Sequence, residues 1–388
     1  MSDPTRTEYR TVVVGAGVIG LFTAYHLARA GHGPILVVDR GFLSSGASGR
    51  NGGGVRQQWD TRATIDLARE SVAAYRRFSS DFGYNIWFRQ GGYLFLAERP
   101  EELERLRSVQ RTVSEAGLRA RLLPPGDVAA IAPALDLTRV VGATFLQSDG
   151  TLHPFPLVWG LVEAVRALGV EVVTGTEVLR VDRDDGRVTG VTTPRGTVRT
   201  PTVVNAGGGW SKEVAQRAGL SIPNEPTRHE ILATEPLKPF LDPMVVRSSD
   251  GLYFSQTMRG EIVGGLTLPH PPDPTLAMPS STEFLRRMAS ALTGLVPRLR
   301  HLRVLRAWSG FYDDTPDGLP LLGEDPRLAG FVHANGLGGH GVMLAPAFTR
   351  RVARAVLGER PDLDPALFGP GRFLGASPRG PTERLQLG

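Results

Sequence analysis

The chain has 388 residues, 44 Lys plus Arg against 39 Asp plus Glu, a formal net charge of +5 with histidine neutral, and no cysteine. That length suffices for two domains of ordinary size, while the missing thiols exclude disulfides, thiolate metal centres and cysteinyl cofactor links; a reducing cytoplasm is the expected location and no metal site is expected. No run of 18 apolar residues goes uninterrupted, so no membrane span is expected, and basic residues scattered among acids, as in EELERLRSVQR, argue against nucleic-acid binding.

The first predicted element is a β-branched strand over 12–14, which runs into Gly15, Gly17 and Gly20 in the spacing G-x-G-x-x-G. A helical stretch follows, then a second strand over 35–38 that ends at Asp39, 19 residues after Gly20. Arg6 and Arg10 ahead of an apolar run that closes on Ala28–Ala30 also have the order of an export signal. The interrupting glycines, with strand, helix, strand and acid in register, favour a nucleotide cradle. With Met1 at its head, the segment is expected to be retained. The first glycine allows a tight turn, the second a close approach of backbone N–H groups to pyrophosphate, and the third close packing of helix on strand. The helix N-terminus then faces the phosphates with its partial positive charge. An acid at the tip of the second strand can accept hydrogen bonds from ribose hydroxyls.

A glycine-rich loop, GFLSSGASGRNGGGVRQQW, precedes a predicted helix over 61–82. Short strands are predicted at NIWFRQ and GGYLFLA, and a charged helix over 100–116; this stretch reads as a cap outside the nucleotide fold. A helix over 156–168 leads into short strands turning at DDG and PRG, then a buried strand, a glycine turn and a helix around VVNAGGGW. A second strand-rich block, 226–310, contains a hairpin turning at MRG and a helix over 281–295. The last block holds a strand, a glycine turn and an amphipathic helix, and the polar tail from 370 is expected at the surface. Four glycine turns recur, at Gly15–Gly20, Gly49–Gly54, Gly207–Gly209 and Gly336–Gly341. Three of them follow predicted strands, so they can line one edge of a parallel sheet, where ligands of open α/β sheets bind.

Five motifs in order, VVVGAGVIG, SGASGRNGGGVRQQW, VVNAGGGW, AWSGFYDDTPDGLPLLG and GLGGHGVMLAPA, carry a resemblance that runs over residues 10–358. The chain resembles the FAD-dependent amino-acid oxidoreductases of the D-amino-acid oxidase superfamily, with most likeness to the β subunits of heterotetrameric sarcosine oxidase and of dye-linked L-proline dehydrogenase. The resemblance implies an α/β plus antiparallel β fold: a Rossmann-like FAD-binding domain (1–85, 145–225 and 311–370) interleaved with a substrate domain built on an antiparallel sheet with helices (86–144 and 226–310), and a tail over 371–388. It places Gly15, Gly17, Val18 and Gly20 at the pyrophosphate, Asp39 at the adenosine ribose, and Arg40, Ser44 and Ser45 near the adenosine and phosphates. Val178 would meet adenine through its backbone, and Gly207 with Trp210 would border the cofactor. Arg50, Asn51, Gly52 and Gly53 would pass beside the isoalloxazine ring. Gly338, Gly339, His340, Gly341, Val342 and Met343 would offer N–H groups to the flavin N1–C2=O edge, stabilising the charge that appears there on reduction.

By the same resemblance Arg56 would clamp the substrate carboxylate through two parallel hydrogen bonds, fixing orientation as well as charge. Tyr253 and Tyr312 match aromatic pocket positions, although bare tyrosines are more often core. His340 and His229 are candidates near the flavin or pocket, with neutral hydrogen-bonding histidines as the default. The departures also inform. Gly310 stands where monomeric sarcosine oxidases attach FAD through cysteine, so non-covalent FAD is expected. Ile262 stands where they carry an oxygen-activating lysine, and Met343 where a second lysine binds the carboxylate; the chain's only lysines are Lys212 and Lys238. His153 lies within a residue of where sarcosine oxidase β subunits bind FMN. The implied reaction is oxidation of the C–N bond of a small secondary amino acid, N-methyl or cyclic, such as sarcosine, by hydride transfer to flavin N5 followed by imine hydrolysis, with oxygen or another partner as acceptor. The alternatives are an L-proline dehydrogenase-type activity with a non-oxygen acceptor, or a flavin subunit active only in a hetero-oligomer. A nicotinamide dehydrogenase is disfavoured, because the one cradle at Gly15–Gly20 is accounted for by the flavin.

Overall fold

The computed structural model describes residues 4–268, 276–375 and Glu383. Thr11–Val14 and Ile35–Val38 are buried at every position, as strands covered on both faces must be. They lie inside a six-stranded sheet whose order is Leu321–Glu324, Phe331–Asn335, Val203–Asn205, Thr11–Val14, Ile35–Val38, Glu171–Val173. Every pair in it is parallel except the first hairpin. Alternation sends Val13, Ile35 and Val37 into one core, shared with the helices Val18–Arg29, Arg62–Phe82, Pro154–Ala167 and Gly341–Val356, and sends Val12, Val14, Leu36 and Val38 into another. That second core is roofed by the antiparallel strands Arg180–Asp184, Arg187–Thr193 and Gly196–Arg199 and by the helix Ser211–Arg217.

A second sheet has eight strands, in the order Val304–Asp314, Glu225–Thr234, Ile262–Leu266, Leu252–Gln256, Met244–Arg247, Tyr93–Ala97, Gly142–Leu146, Arg121–Leu123. Its pairs are antiparallel apart from Met244–Arg247 beside Tyr93–Ala97. One face packs on the helix Thr282–Leu295 through Leu94, Phe254, Ile262 and Leu266. The other face looks towards the parallel sheet. Among the described residues no helix is long and apolar enough to cross a membrane.

Three expectations change. NIWFRQ is not a strand: Trp87 has φ +52, its N–H donates to Asn85 Oδ1, and only Arg89 bridges, to Thr151. Ile262 pairs with Gln256 and points into the helix-covered core, so the position facing the parallel sheet is its neighbour Val263, on the face of Gly265, Tyr253 and Ile231. A one-residue shift in a strand exchanges faces. The third concerns the tail, of which 376–382 and 384–388 lie outside the described residues. Glu383 is not at the surface: it is buried, and its carboxylate accepts from the N–H of Asp60 at 2.9 Å and of Thr61 at 3.3 Å. A carboxylate there complements the N-terminus of Arg62–Phe82, which Thr61 caps.

Candidate active site

A cavity of about 880 Å³ runs along the carboxyl edge of the parallel sheet and beneath the eight-stranded sheet, near the upper end of the roughly 300–1,000 Å³ common for ligand sites. Its first part is the turn after Thr11–Val14. Gly15 has φ +115, its N–H donates to Val38 O at 2.8 Å, and a Cβ would overlap Ala206 O, so only glycine lets two neighbouring strands end this close together. Gly17 and Val18 line the cavity at the start of a helix with no acid in its first turn, and Val18 N–H donates to Ser48 Oγ at 3.0 Å. Gly20 does not line it. A Cβ there would overlap Gly15 O, so this glycine serves helix packing rather than contact with a ligand.

Asp39, at the end of the next strand, accepts from Ala16 N–H and from Gly41 N–H, both at 2.7 Å. Its carboxylate therefore braces the cradle while facing the cavity. Arg40 stacks on Trp210 at 4.6 Å and pairs with Glu177 and Glu213 at 3.5 and 3.2 Å. Val178 lines the same end, with its carbonyl accepting from Arg217. Gly207 and Ser45 also border it. Ser44 Oγ, Thr176 Oγ1 and Trp210 Nε1 are buried side-chain atoms without a protein partner, and all three residues line the cavity. Buried polar atoms are normally satisfied. Three such atoms beside a helix N-terminus without an acid in its first turn fit the adenosine and pyrophosphate of a dinucleotide.

The loop 50–54 forms the floor further along. Arg50 donates from Nε to Ser45 O at 2.6 Å and from Nη1 to Ser309 O at 3.0 Å. Asn51 accepts from Gly53 N–H at 2.8 Å and donates to Ser48 O at 2.8 Å. Gly53 has φ +75, and a Cβ on it would overlap Leu152 O. Gly52 lies under Tyr253, whose ring would be 3.3 Å from a Cβ there. Gly310 also lines the cavity, with Arg50 Cβ 3.3 Å from where its own Cβ would be.

The turn before the helix Gly341–Val356 closes this end. Gly338 N–H donates to Asp313 O and His340 N–H to Leu337 O, each at 2.9 Å. Those two N–H groups are engaged by protein, which corrects the expectation that they face a ligand. Gly341, Val342 and Met343 form the helix's first turn, where N–H groups have no carbonyl one turn back, and all three line the cavity. Tyr75 donates to Val342 O and holds the turn from behind. Asp313, which the sequence reading did not single out, accepts from Gly336 N–H at 2.7 Å, Ser211 Oγ at 2.8 Å and Asn224 Nδ2 at 3.0 Å. Burial pushes its pKa up to about 6 against these bonds.

Tyr253 and Tyr312 meet above the floor, with their hydroxyls hydrogen-bonded to each other. The Tyr312 ring rests on Gly339, where any Cβ would overlap it, and stacks on His229 with centroids 3.7 Å apart. Burial raises both phenols, that of Tyr312 to about 12, with Asp314 adding to the rise and Arg56 opposing it.

Arg56 departs from expectation. It is 0% exposed and is not on the cavity wall. Its guanidinium lies over Trp59 at 4.0 Å and Phe95 at 5.2 Å, with Nη2 3.3 Å from His340 Nε2. The direct carboxylate clamp is therefore not built: Arg56 is a buried charge behind the tyrosines. Burial lowers its pKa, while Tyr93, Glu383, Asp149 and Asp60 favour the charged form. Asp149 pins the same loop, accepting from Gln57 N–H at 2.8 Å and from Gln58 Nε2 at 3.1 Å. His340 also points inward, edge-on to Trp59. Burial, Arg56 and His229 hold it well below the ordinary histidine pKa, so it is neutral. No lysine is on the cavity wall among the described residues; Lys212 pairs with Glu225. His153 is not on the wall either, and packs edge-on against Trp87 at the start of the helix Pro154–Ala167.

Residues 10–355 match the family model described as DAO, FAD dependent oxidoreductase. The chain is 30% identical over 349 residues to the sarcosine oxidase subunit beta of Rhodobacter capsulatus, covering 87% of this chain and 83% of that one. Among solved structures it is similar to the L-proline dehydrogenase from P. horikoshii, with a TM-score of 0.89, 31% identity, and 94% and 97% of the two chains covered. It is also similar to the glycine oxidase from Geobacillus kaustophilus, with a TM-score of 0.87, 26% identity, and 95% and 100% covered.

Proposed function

The chain belongs to the DAO family of FAD-dependent oxidoreductases, and from that membership we propose that it oxidises the C–N bond of a small secondary amino acid, N-methylated or cyclic, to an imine that water hydrolyses. When bound, FAD supplies the acceptor for the hydride leaving the carbon beside the amine nitrogen. Gly15, Gly17 and Val18 would hold the pyrophosphate, Asp39 the ribose, and Arg40, Ser44, Thr176, Val178 and Trp210 the adenosine. The first-turn N–H groups of Gly341, Val342 and Met343 would hold the edge of the ring system where negative charge develops, supported by the helix dipole. Tyr253 and Tyr312 offer their hydroxyls to the substrate carboxylate, and Arg56 supplies positive charge from behind them. The neutral amine is the reactive form, since its lone pair assists departure of the hydride. Binding is non-covalent, and the two sheets divide the work: the parallel one carries the cofactor and the eight-stranded one roofs the substrate.

The observation that carries this reading is one continuous cavity joining the helix N-terminus at Gly17–Val18 to the Tyr253–Tyr312 pair. Anaerobic addition of sarcosine, proline or glycine tests it. Bleaching of the flavin absorbance by a secondary amino acid is expected, and no bleaching by any small amino acid overturns the reading.

A second reading has a specific motivation, since a relative matched over most of its length is named as a subunit. The chain then works as the flavin subunit of a hetero-oligomer, passing electrons to a partner rather than to oxygen; a cavity wall without lysine agrees with this. Isolated protein that bleaches with substrate but turns over only when a partner is added supports it. Full turnover of the isolated chain with oxygen eliminates it.

A further inference from the structure

The helix Gly341–Val356 has a proline inside it, Pro346. In an α-helix the N–H of residue 346 would donate to the carbonyl of residue 342, and proline has no N–H to give. Val342 is buried, so its carbonyl needs another donor. The neighbouring helix Arg62–Phe82 supplies one, since the Tyr75 hydroxyl donates to Val342 O. One turn earlier on the same face, Ser71 Oγ accepts from the N–H of Ala347 at 3.2 Å, the residue after the proline. His26, on the cradle helix Val18–Arg29, meets Pro346 O through Nε2 at 3.2 Å. A carbonyl only accepts, so Nε2 carries the proton. Burial lowers the His26 pKa to about 4, and the ring is neutral.

These three contacts differ in what they reach. The carbonyl that takes Tyr75 belongs to the peptide joining Val342 to Met343, and the same peptide carries the Met343 N–H. That N–H is in the first turn, with no carbonyl one turn back, and Val342 and Met343 both line the cavity. One peptide group therefore lies between the phenol and the cavity. A hydrogen bond onto its oxygen polarises the amide and strengthens the N–H on its far side. Pro346 and Ala347 are not on the cavity wall, so the bonds from His26 and to Ser71 hold the helix without reaching it. Tyr75 is 2% exposed, with its ring against Phe22 and Phe88. Burial raises its pKa well above the ordinary phenol value, which keeps it a neutral donor.

We propose that Tyr75 is a positioning residue for the flavin: its hydroxyl, acting through the Val342–Met343 peptide, strengthens the N–H offered to the ring edge where negative charge develops, and so raises the reduction potential of the bound cofactor. This rests on the placement of the first-turn N–H groups proposed above. Pro346 makes the arrangement possible, because an ordinary residue there would use the Val342 carbonyl within the helix.

The test uses FAD-loaded protein and needs no substrate. Reduction against a reference dye gives the potential, and infrared spectroscopy gives the flavin C2=O stretch. Tyr75→Phe should lower the equilibrium constant for two-electron reduction about three- to tenfold, or about 15–30 mV, and move the C2=O band towards its position in aprotic solvent. Ser71→Ala loosens the same proline turn and serves as the structural control; it should keep the constant within about twofold of wild type. Replacing Tyr75 by 3-fluorotyrosine keeps the ring in place with a stronger donor, and should raise the constant. Equal potentials in wild type and Tyr75→Phe overturn the proposal, as does a fall of the same size in Ser71→Ala. Should Tyr75→Phe fail to retain FAD, the fluorotyrosine protein decides, and an unchanged constant there overturns the proposal. The wild-type C2=O band separates two failures. A band at the aprotic position means that no N–H reaches the ring, and the placement falls together with Tyr75. A lowered band with a potential unmoved by Tyr75→Phe removes the role of Tyr75 alone.

Discussion

The carboxylate of Asp313 accepts a 2.7 Å hydrogen bond from the backbone N–H of Gly336. That bond ties the long strand of the eight-stranded sheet to the glycine turn of the parallel sheet. The same carboxylate takes Ser211 and Asn224, so it joins both layers at the cavity. Asp313→Ala would leave three buried donors without an acceptor, at about 1–3 kcal/mol for each that water cannot reach. The expected result is a lower Tm and weaker FAD retention, read by thermal unfolding and by flavin released on gel filtration. A variant with unchanged Tm and flavin content would show that the clasp contributes little.

Gly15→Ala must accommodate a Cβ that overlaps Ala206 O at a backbone φ of +115. Strain of this kind is worth about 1–3 kcal/mol, and relieving it moves the cradle. FAD affinity should fall at least about tenfold, measured by quenching of flavin fluorescence, while circular dichroism shows a folded chain. Wild-type affinity in this variant would remove Gly15 from the cradle.

Arg56 lies behind the tyrosines, and its stacking on Trp59 at 4.0 Å suits a planar guanidinium rather than an ammonium. Arg56→Gln should raise KM for the amino acid about 10- to 100-fold with FAD content retained, and Arg56→Lys should recover only part of this. Steady-state kinetics on flavin-normalised protein measures the effect. A variant with wild-type KM would show that the charge does not reach the substrate.

Asp149 is fully buried and its pKa is pushed up to about 7, by burial first, against hydrogen bonds from Gln57 and Gln58. Its folded value lies above the unfolded value of 3.8, so the folded chain binds this proton more tightly. The associated stability is present in acid and is lost as pH rises from about 4 to about 7. Asp149→Asn has no such proton to bind. The Tm of wild type minus that of the variant should therefore become more negative across this interval and level off above it. A difference that stays flat with pH would mean that the carboxylate is ionised throughout.

Tyr312→Phe removes one of the two hydroxyls that meet at the substrate end. KM should rise about three- to thirtyfold with little change in kcat, as for loss of one hydrogen bond to an anion. A fall in kcat alone would place the phenol in the chemical step instead.

The cradle was legible because its information is local: glycine spacing, a β-branched strand on either side and an acid at the second strand's end all lie within residues 12–39. The role of Gly20 was narrower than expected, since contact with Gly15 O is a packing fact. The spacing itself assigns the third glycine to packing of helix on strand; the resemblance alone added a place at the pyrophosphate. Val263 rather than Ile262 faces the parallel sheet because strand register assigns faces, and register is settled by partners at residues 230–233 and 253–256. NIWFRQ has strand composition but no ladder to join.

The sequence by itself determined the layered architecture, the nucleotide cradle and the family, because these follow from short-range periodicity and from glycines whose backbone geometry no other residue adopts at low cost. Only the tertiary structure decided that Arg56 is an inner charge and that Asp313 clasps two turns. Those facts depend on which side of a loop a side chain leaves and on contacts between residues far apart in the chain, such as Arg56 with His340 and Asp313 with Ser211. Such contacts form only when the two sheets close on each other.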